Sequence, residues 1–473
     1  MIASSLHPQP VRAVCEPWRR WGFGLTPRTL GLLTAGFLLL IPGFWESRLS
    51  YAMLVWDALV LLASGLDVLR LPPAAQLAVT RTWSNAPALD SETEIEIGIE
   101  NHGRVIVECR LTDDLPPALV AEPVTHRLTV FPHVPAQVRY KVTPQERGDW
   151  PTGSLYVRYR SPLGLAERWA KAPLTQTVRV YPALRTNEEQ QIFLARSRQI
   201  DLQLRQVRQR GLGRDFESLR EYREGDDLRD VCWTATARRG NLVTRQYQTE
   251  RSQPVWIVLD CGRLMRSRVA GFPQAHSAST NPCGNVHSKL DHACSTAVAL
   301  AQLALYSGDR VGLLAYGQGI QQRLLPGRGA AHLRQLIELL SQVRAESSEA
   351  DHLRATAILN RLQPRRSLVL WVTDLAETAM RPEVIDGAVQ LLHRHVLLFV
   401  AMAQPEVEHL AQARPKNVEQ MFRAAAAQEM AARRELLLAR LHEQGALTLD
   451  LNPEVLTASV LNQYLTVKER AMV

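Results

Sequence analysis

Beyond Gln253, apolar runs of strand length alternate with stretches of helix length, and this alternation restricts the second half of the chain to very few folds. Val255 to Asp260 reads as a strand, Asp291 to Ser307 as a helix and Val311 to Tyr316 as the next strand. Gln321 to Leu325 follows through a Gly-containing turn too tight for a crossover, which predicts an antiparallel edge strand. Helices near His332 to Val343 and Asp351 to Leu362 lead to the strand SLVLWVTD, which ends at Asp374. A helix to Arg394, the strand HVLLFVAM, a long helix near Asn417 to Glu443, the strand LTLDL and a final helix complete the pattern. Strands apolar on both faces and separated by helices predict a mostly parallel, doubly wound α/β sheet. Ligands of such sheets sit beyond the carboxyl ends of the strands, where strand order reverses. Asp260 and Asp374 end the two strands expected to flank that point, so a site is expected there.

The first 70 residues obey a different constraint. Thr29 to Trp45 carries no charge and Leu49 to Leu66 carries only Asp57, and each run is long enough to cross ~30 Å of hydrocarbon. Residues 29–68 are therefore expected to form two transmembrane helices. Arg12, Arg19, Arg20 and Arg28 precede the first run, Arg70 and Arg81 follow the second, and the short connection holds Glu46 and Arg48. By the bias of basic residues toward the cytoplasm, the expectation is a multi-pass inner-membrane protein with a basic cytosolic N-terminus (1–28) and cytoplasmic soluble domains. Asp57 is expected to hydrogen-bond to the neighbouring helix or to a partner subunit.

Residues 75–183 switch to short alternating segments such as TEIEIGIEN and LYVRYR, punctuated by Asn, Gly and Pro, which predicts an immunoglobulin-like β-sandwich. A polar, Arg- and Gln-rich segment, 184–212, reads as a linker helix. The net charge of +8 is spread thinly, +2 on residues 1–70 and +6 on the rest, which excludes the concentrated basic footprint of a nucleic-acid binder. Six cysteines without a CxxC pair read as reduced thiols rather than a zinc site or disulfide framework.

Residues 213–473 hold the family signature and the α/β domain. The stretch GLGRDFESLREYREGDDLRDVCWTATARRGNLVTRQYQTERSQPVWIVLD, with GDRVGLLAYG and RGDWPTGSLYVRYRSPLGL, resembles the membrane-anchored family known as domain of unknown function 58. The resemblance implies a membrane hairpin, a β-rich segment, a von Willebrand factor A-like domain and a protein partner, a MoxR-type AAA+ ATPase. Its signature positions are Tyr222, Gly225, Asp226, Asp227, Arg229, Trp233, Ala237 and Arg238. Physically, these mix acids and arginines around one tryptophan. An ion-paired collar with Trp233 as its apolar plug, a partner-binding surface and a carboxylate catalytic site are all open readings.

A von Willebrand factor A domain binds its metal through Asp-x-Ser-x-Ser, a Thr and a second Asp. Here Asp260 and Asp374 stand in place, but the serine positions are Gly262 and Leu264, and the loop GRGAAHL has no hydroxyl. A hard cation wants about six oxygens, so the degenerate site is expected to bind magnesium weakly or not at all. Arg263, next to Asp260, is the expected internal cation and the mark of a docking face. The function expected is a non-enzymatic, membrane-anchored adaptor without a cofactor. A metal-dependent hydrolase at the membrane and a scaffold for envelope or polysaccharide assembly are the alternatives.

Overall fold

The computed structural model describes residues 8–18, 22–39, 50–122, 125–183, 193, 195–197, 199, 215–223, 228–248, 253–270, 286–375, 383–453 and 455–470. The chain divides into two compact units, Met1–Ala183 and Leu184–Val473.

Period-two burial builds the first unit. In Thr93–Asn101 the isoleucines 95, 97 and 99 turn inward and the glutamates between them turn out. This strand pairs with Leu77–Trp83 and Ala136–Pro144 in an antiparallel sheet completed by Val11–Val14 and Leu119–Glu122. A second antiparallel sheet runs Glu16–Pro17, Ala166–Ala172, Leu155–Arg160, Val107–Asp113, Thr125–Val130, with Phe23–Leu25 also on Ala166–Ala172. The inward rows of both sheets share one buried cluster that includes Val79, Ile97, Leu111, Val157 and Tyr159.

Among the described residues one helix, Tyr51–Arg70, is long and apolar enough to cross a membrane. The expected hairpin is not shown. The first apolar run forms a ten-residue helix, Pro27–Gly36, and a short turn, Phe37–Leu39, while residues 40–49 lie outside the described residues. The two helices touch where Trp56 Nε1 donates to Leu32 O at 2.9 Å. Asp57 lies against Gly36, where a Cβ would come within 2.6 Å of Asp57 Oδ1. Among the described residues Asp57 Oδ1 is buried without a hydrogen-bond partner.

In the second unit the sheet consists of β1 (Pro254–Asp260), β2 (Arg310–Tyr316), β3 (Ile320–Gly327), β4 (Leu368–Thr373), β5 (Val396–Met402) and β6 (Leu447–Leu451). Its order is β3-β2-β1-β4-β5-β6, with β3 antiparallel and every other pairing parallel. The helices are α1 (Lys289–Tyr306), α2 (Gly329–Gln342), α3 (His352–Leu362), α4 (Glu383–Leu392), α5 (Pro405–Gln412), α6 (Val418–Glu443) and α7 (Leu456–Glu469). A reciprocal cap starts α1: Ser288 Oγ accepts from Asp291 N–H and the Asp291 carboxylate accepts from Ser288 N–H. The edge strand and strand order follow the sequence pattern; α5, masked by its brevity, does not. Of the linker segment 184–212, helical residues are described only between 193 and 199, and the rest lies outside the described residues.

Arg81 is fully buried in the first unit's core. It donates to Thr152 Oγ1 at 3.0 Å, Leu174 O at 2.9 Å and Asp113, which also accepts from Tyr140 Oη at 2.5 Å. Arg81→Met strands a buried carboxylate and is expected to cost about 3–5 kcal/mol in a denaturant melt, whereas Arg81→Met with Asp113→Leu recovers part of that loss.

Candidate functional site

β1 and β4 are central strands, buried along their length, and they leave the sheet side by side: Leu259 and Val372 are register partners. Asp260 is the last residue of β1 and Asp374 follows β4 directly. Both acids therefore stand at the carboxyl rim of the sheet, at the point where strand order reverses.

Asp260 is buried with both oxygens engaged. Oδ1 accepts the Gly262 N–H at 2.7 Å and Oδ2 accepts the Thr373 hydroxyl at 2.6 Å. Burial pushes its carboxyl above the usual carboxylate range; His352, Thr373 and Gly262 pull in the opposite direction. Beside it Trp371 Nε1 donates to Tyr316 Oη at 2.7 Å, and that hydroxyl meets His352 Nδ1 at 2.8 Å. The hydroxyl keeps a proton and a second lone pair, so it can either donate to or accept from the imidazole, according to the ring's tautomer. Desolvation lowers the His352 pKa, which favours the neutral imidazole.

Asp374 meets two cations. Lys289 Nζ lies 2.5 Å from Oδ2, with both side chains 0% exposed, and Arg434 Nη1 lies 3.2 Å from Oδ1. Gln404 Nε2 also donates to Oδ2 at 3.2 Å, and Lys289 Nζ lies 3.4 Å from Met402 O. The Arg434 guanidinium continues to Asp450 through Nε and Nη2. Two carboxylates and two cations thus close a charge-balanced cluster that ties α1, β4, the end of β5, α6 and β6 together. Burial lowers the Lys289 pKa, and Asp374 opposes the shift.

Arg263 is not the internal cation. Gly262 turns the chain away from β1, Arg263 N–H donates to Ser348 O, and its exposed side chain points to Glu349 at 3.4 Å. Proximity in sequence to Asp260 placed the charge on the wrong side of that turn. Lys289 was missed because 85 positions separate it from Asp374 and only the fold brings it to the rim; the polar cap SKLD, which starts a helix aimed at the sheet, is the one signal for it. The residues present do not suit a divalent cation. Both Asp374 oxygens already meet nitrogen donors, both Asp260 oxygens accept protein protons, and the described residues contain no group of three or more His, Cys, Asp or Glu able to hold a metal.

The family signature lies apart from this rim in sequence and builds its own element. Asp215–Glu221 and Val243–Gln248 pair as an antiparallel ribbon, and the short helix Trp233–Arg239 packs between their ends. Trp233 is 65% exposed, and Ala237 and Arg238 are exposed too, so Trp233 is not the apolar plug of a collar. Its position explains the difference: it opens a seven-residue helix in which no residue is buried. Tyr222 is half-buried, with its N–H donating to Leu242 O at 2.9 Å. Gly225, Asp226 and Asp227 lie outside the described residues, as does the Arg229 side chain.

A cleft of about 510 Å³ opens beside the cation cluster, between α5, α6 and β6. Val407, Met430 and Leu438 form apolar walls, and Gln404, Arg434 and Asp450 form the polar floor. Glu408, Glu435, His442 and Thr448 also line it.

Two measurements test the cluster. Lys289→Met leaves Asp374 with one cation fewer in a buried site and is expected to cost about 3–5 kcal/mol in a melt. Calorimetric titration of the wild-type chain with Mg²⁺ is expected to give no binding heat, and micromolar binding abolished by Asp374→Asn would show instead that the lysine yields to a metal.

Residues 218–421 match the family described as protein of unknown function DUF58. No curated protein matches the chain. Among solved structures, a conserved hypothetical protein BatB from Bacteroides thetaiotaomicron aligns at 13% identity and a TM-score of 0.28, over 46% of this chain and 100% of that one. A von Willebrand factor type A protein from Catenulispora acidiphila aligns at 12% identity and a TM-score of 0.27, over 48% of this chain and 44% of that one. An uncharacterized membrane-spanning protein from Vibrio fischeri aligns at 12% identity and a TM-score of 0.18, over 45% and 96%. The matched segment runs from the antiparallel ribbon through the doubly wound α/β sheet to the start of α6.

Proposed function

We propose that the chain is a membrane-anchored, non-enzymatic adaptor whose α/β unit binds a protein partner in the assembly or maturation of other proteins. In this reading the first unit is an immunoglobulin-like module next to the membrane, and the partner, by family resemblance, is a MoxR-type AAA+ ATPase. The observation that carries the reading is the solvent-exposed Trp233 on its short helix, followed by Arg238 and Arg239, inside the family segment. An exposed tryptophan beside arginines is costly to leave in water and has the composition of an interface hot spot. The acids of the sheet rim, by contrast, are occupied by internal donors, which leaves little for metal-assisted hydrolysis to use.

The test is affinity purification of the detergent-solubilised full chain co-expressed with a MoxR-type ATPase. Trp233→Ala is expected to keep the wild-type melting temperature and to lose most of the captured ATPase. Equal capture by both proteins would remove Trp233 from the interface, and metal-dependent turnover by the purified chain would favour the hydrolase.

A further inference from the structure

We infer that the loop Ser161–Leu165 of the first unit is a lipid-contacting foot, which seats the β unit on the membrane surface at a fixed height. The inference rests on reading Tyr51–Arg70 as a membrane span.

Asp67, one turn before the end of that helix, is buried against the β unit. Its Oδ1 accepts the Ser161 hydroxyl at 2.6 Å, and its Oδ2 accepts the N–H groups of Leu165 and Ala166 at 3.1 and 3.0 Å. The start of the other helix grips the same loop. Thr26 Oγ1 donates to Gly164 O at 2.6 Å, Thr26 N–H donates to Leu165 O at 3.2 Å, and the Thr29 hydroxyl donates to Leu165 O. Arg28 Nη1 reaches Leu163 O at 3.4 Å. Gly164 takes φ +66°, a turn that a side chain would strain, and a Cβ there would lie 3.0 Å from Arg28 Nη1.

These bonds fix the loop to the same end of both helices, so its height is set by theirs. At 1.5 Å per residue, Asp67 lies roughly 4.5 Å to the bilayer side of Arg70 along the helix. With Arg70 and Arg28 at the lipid phosphates, a loop bonded to Asp67 stands at the boundary between headgroups and acyl chains. Its outward residues suit that depth. Leu163 is 58% exposed and Pro162 is exposed beside it, while Leu25 on the adjoining strand is 44% exposed. Leu69, two residues after Asp67 at the helix end to which the loop is bonded, is 79% exposed. That shared helix end selects a lipid surface over a protein partner: apolar tips flanked by arginines at a helix end form the pattern of an interfacial anchor.

The experiment uses the full chain reconstituted in vesicles of phosphatidylethanolamine and phosphatidylglycerol, with a photo-crosslinking amino acid at one of three exposed positions. Leu59 reports on the span, Leu163 on the foot, and Thr175 lies beyond the far end of the strand Ala166–Ala172, roughly 20 Å away. Lipid adducts at Leu59 and Leu163, with background at Thr175, are expected. Adducts at Leu59 but not at Leu163 overturn the foot and leave the span standing. Background at Leu59 overturns the span and the inference with it, and equal adducts at Leu163 and Thr175 overturn the assignment of the contact to this loop.

Discussion

A buried ammonium against a buried carboxylate, Lys289 to Asp374, organises the carboxyl rim of the α/β sheet. Lysine is an unfavourable residue at the first position of a helix, where the positive end of the helix dipole repels it, and full burial adds the cost of lost water. Both penalties are tolerable only because Asp374 lies within hydrogen-bond reach and Met402 O lies close by. Arg434 then takes the other Asp374 oxygen and passes the connection to Asp450. The start of one helix, the ends of two strands, the middle of the long helix and the last strand are held by four charges, and removing Lys289 or Asp374 unbalances the buried part of that network.

How far the sequence exposes this arrangement depends on whether the cause is local. β1, β4 and β5 are legible because burial on both faces forces a continuous apolar run, and the tight turn after β2 dictates its antiparallel neighbour. The positions of Asp260 and Asp374 follow from strand ends alone. Their partners do not. Arg263 is near Asp260 in sequence, yet the turn at Gly262 carries it to the surface; Lys289 and Arg434 arrive from elements 85 and 60 residues away from Asp374, the acid both serve. A strand pattern fixes where a carboxylate ends up, but a counter-ion is chosen by packing among several helices, which no single window of sequence contains.

The first unit teaches the same lesson at a helix end. Asp57, mid-run in the sequence, draws attention as an intramembrane acid, yet it lies against Gly36 and its Oδ1 has no hydrogen-bond partner among the described residues. Asp67 looks like an ordinary acid near the end of an apolar run, but its three bonds to the Ser161–Ala166 loop make it the joint between helix and sheet. The sequence signal was present in RSPLGL, whose Ser, Pro and Gly mark a turn, but its meaning depended on which helix end would lie against it. Trp233 reverses the error: an aromatic residue amid charges suggests a core plug, whereas seven residues make too short a helix to bury one of its faces.

In the proposed adaptor reading, the Lys289–Asp374 pair also bears on how a partner can be recognised. A bound divalent cation with an open coordination position attracts a carboxylate from outside and can be removed by chelation. A buried ammonium tethered to its own helix has its donors directed inward and presents no such position to solvent. Recognition in that reading runs through side-chain surfaces, with Trp233 and the apolar-walled cleft beside Arg434 as the exposed features of suitable chemistry. An interface of that kind depends on shape and desolvation, so it should be insensitive to chelators and, through Arg238 and Arg239, only moderately weakened by salt.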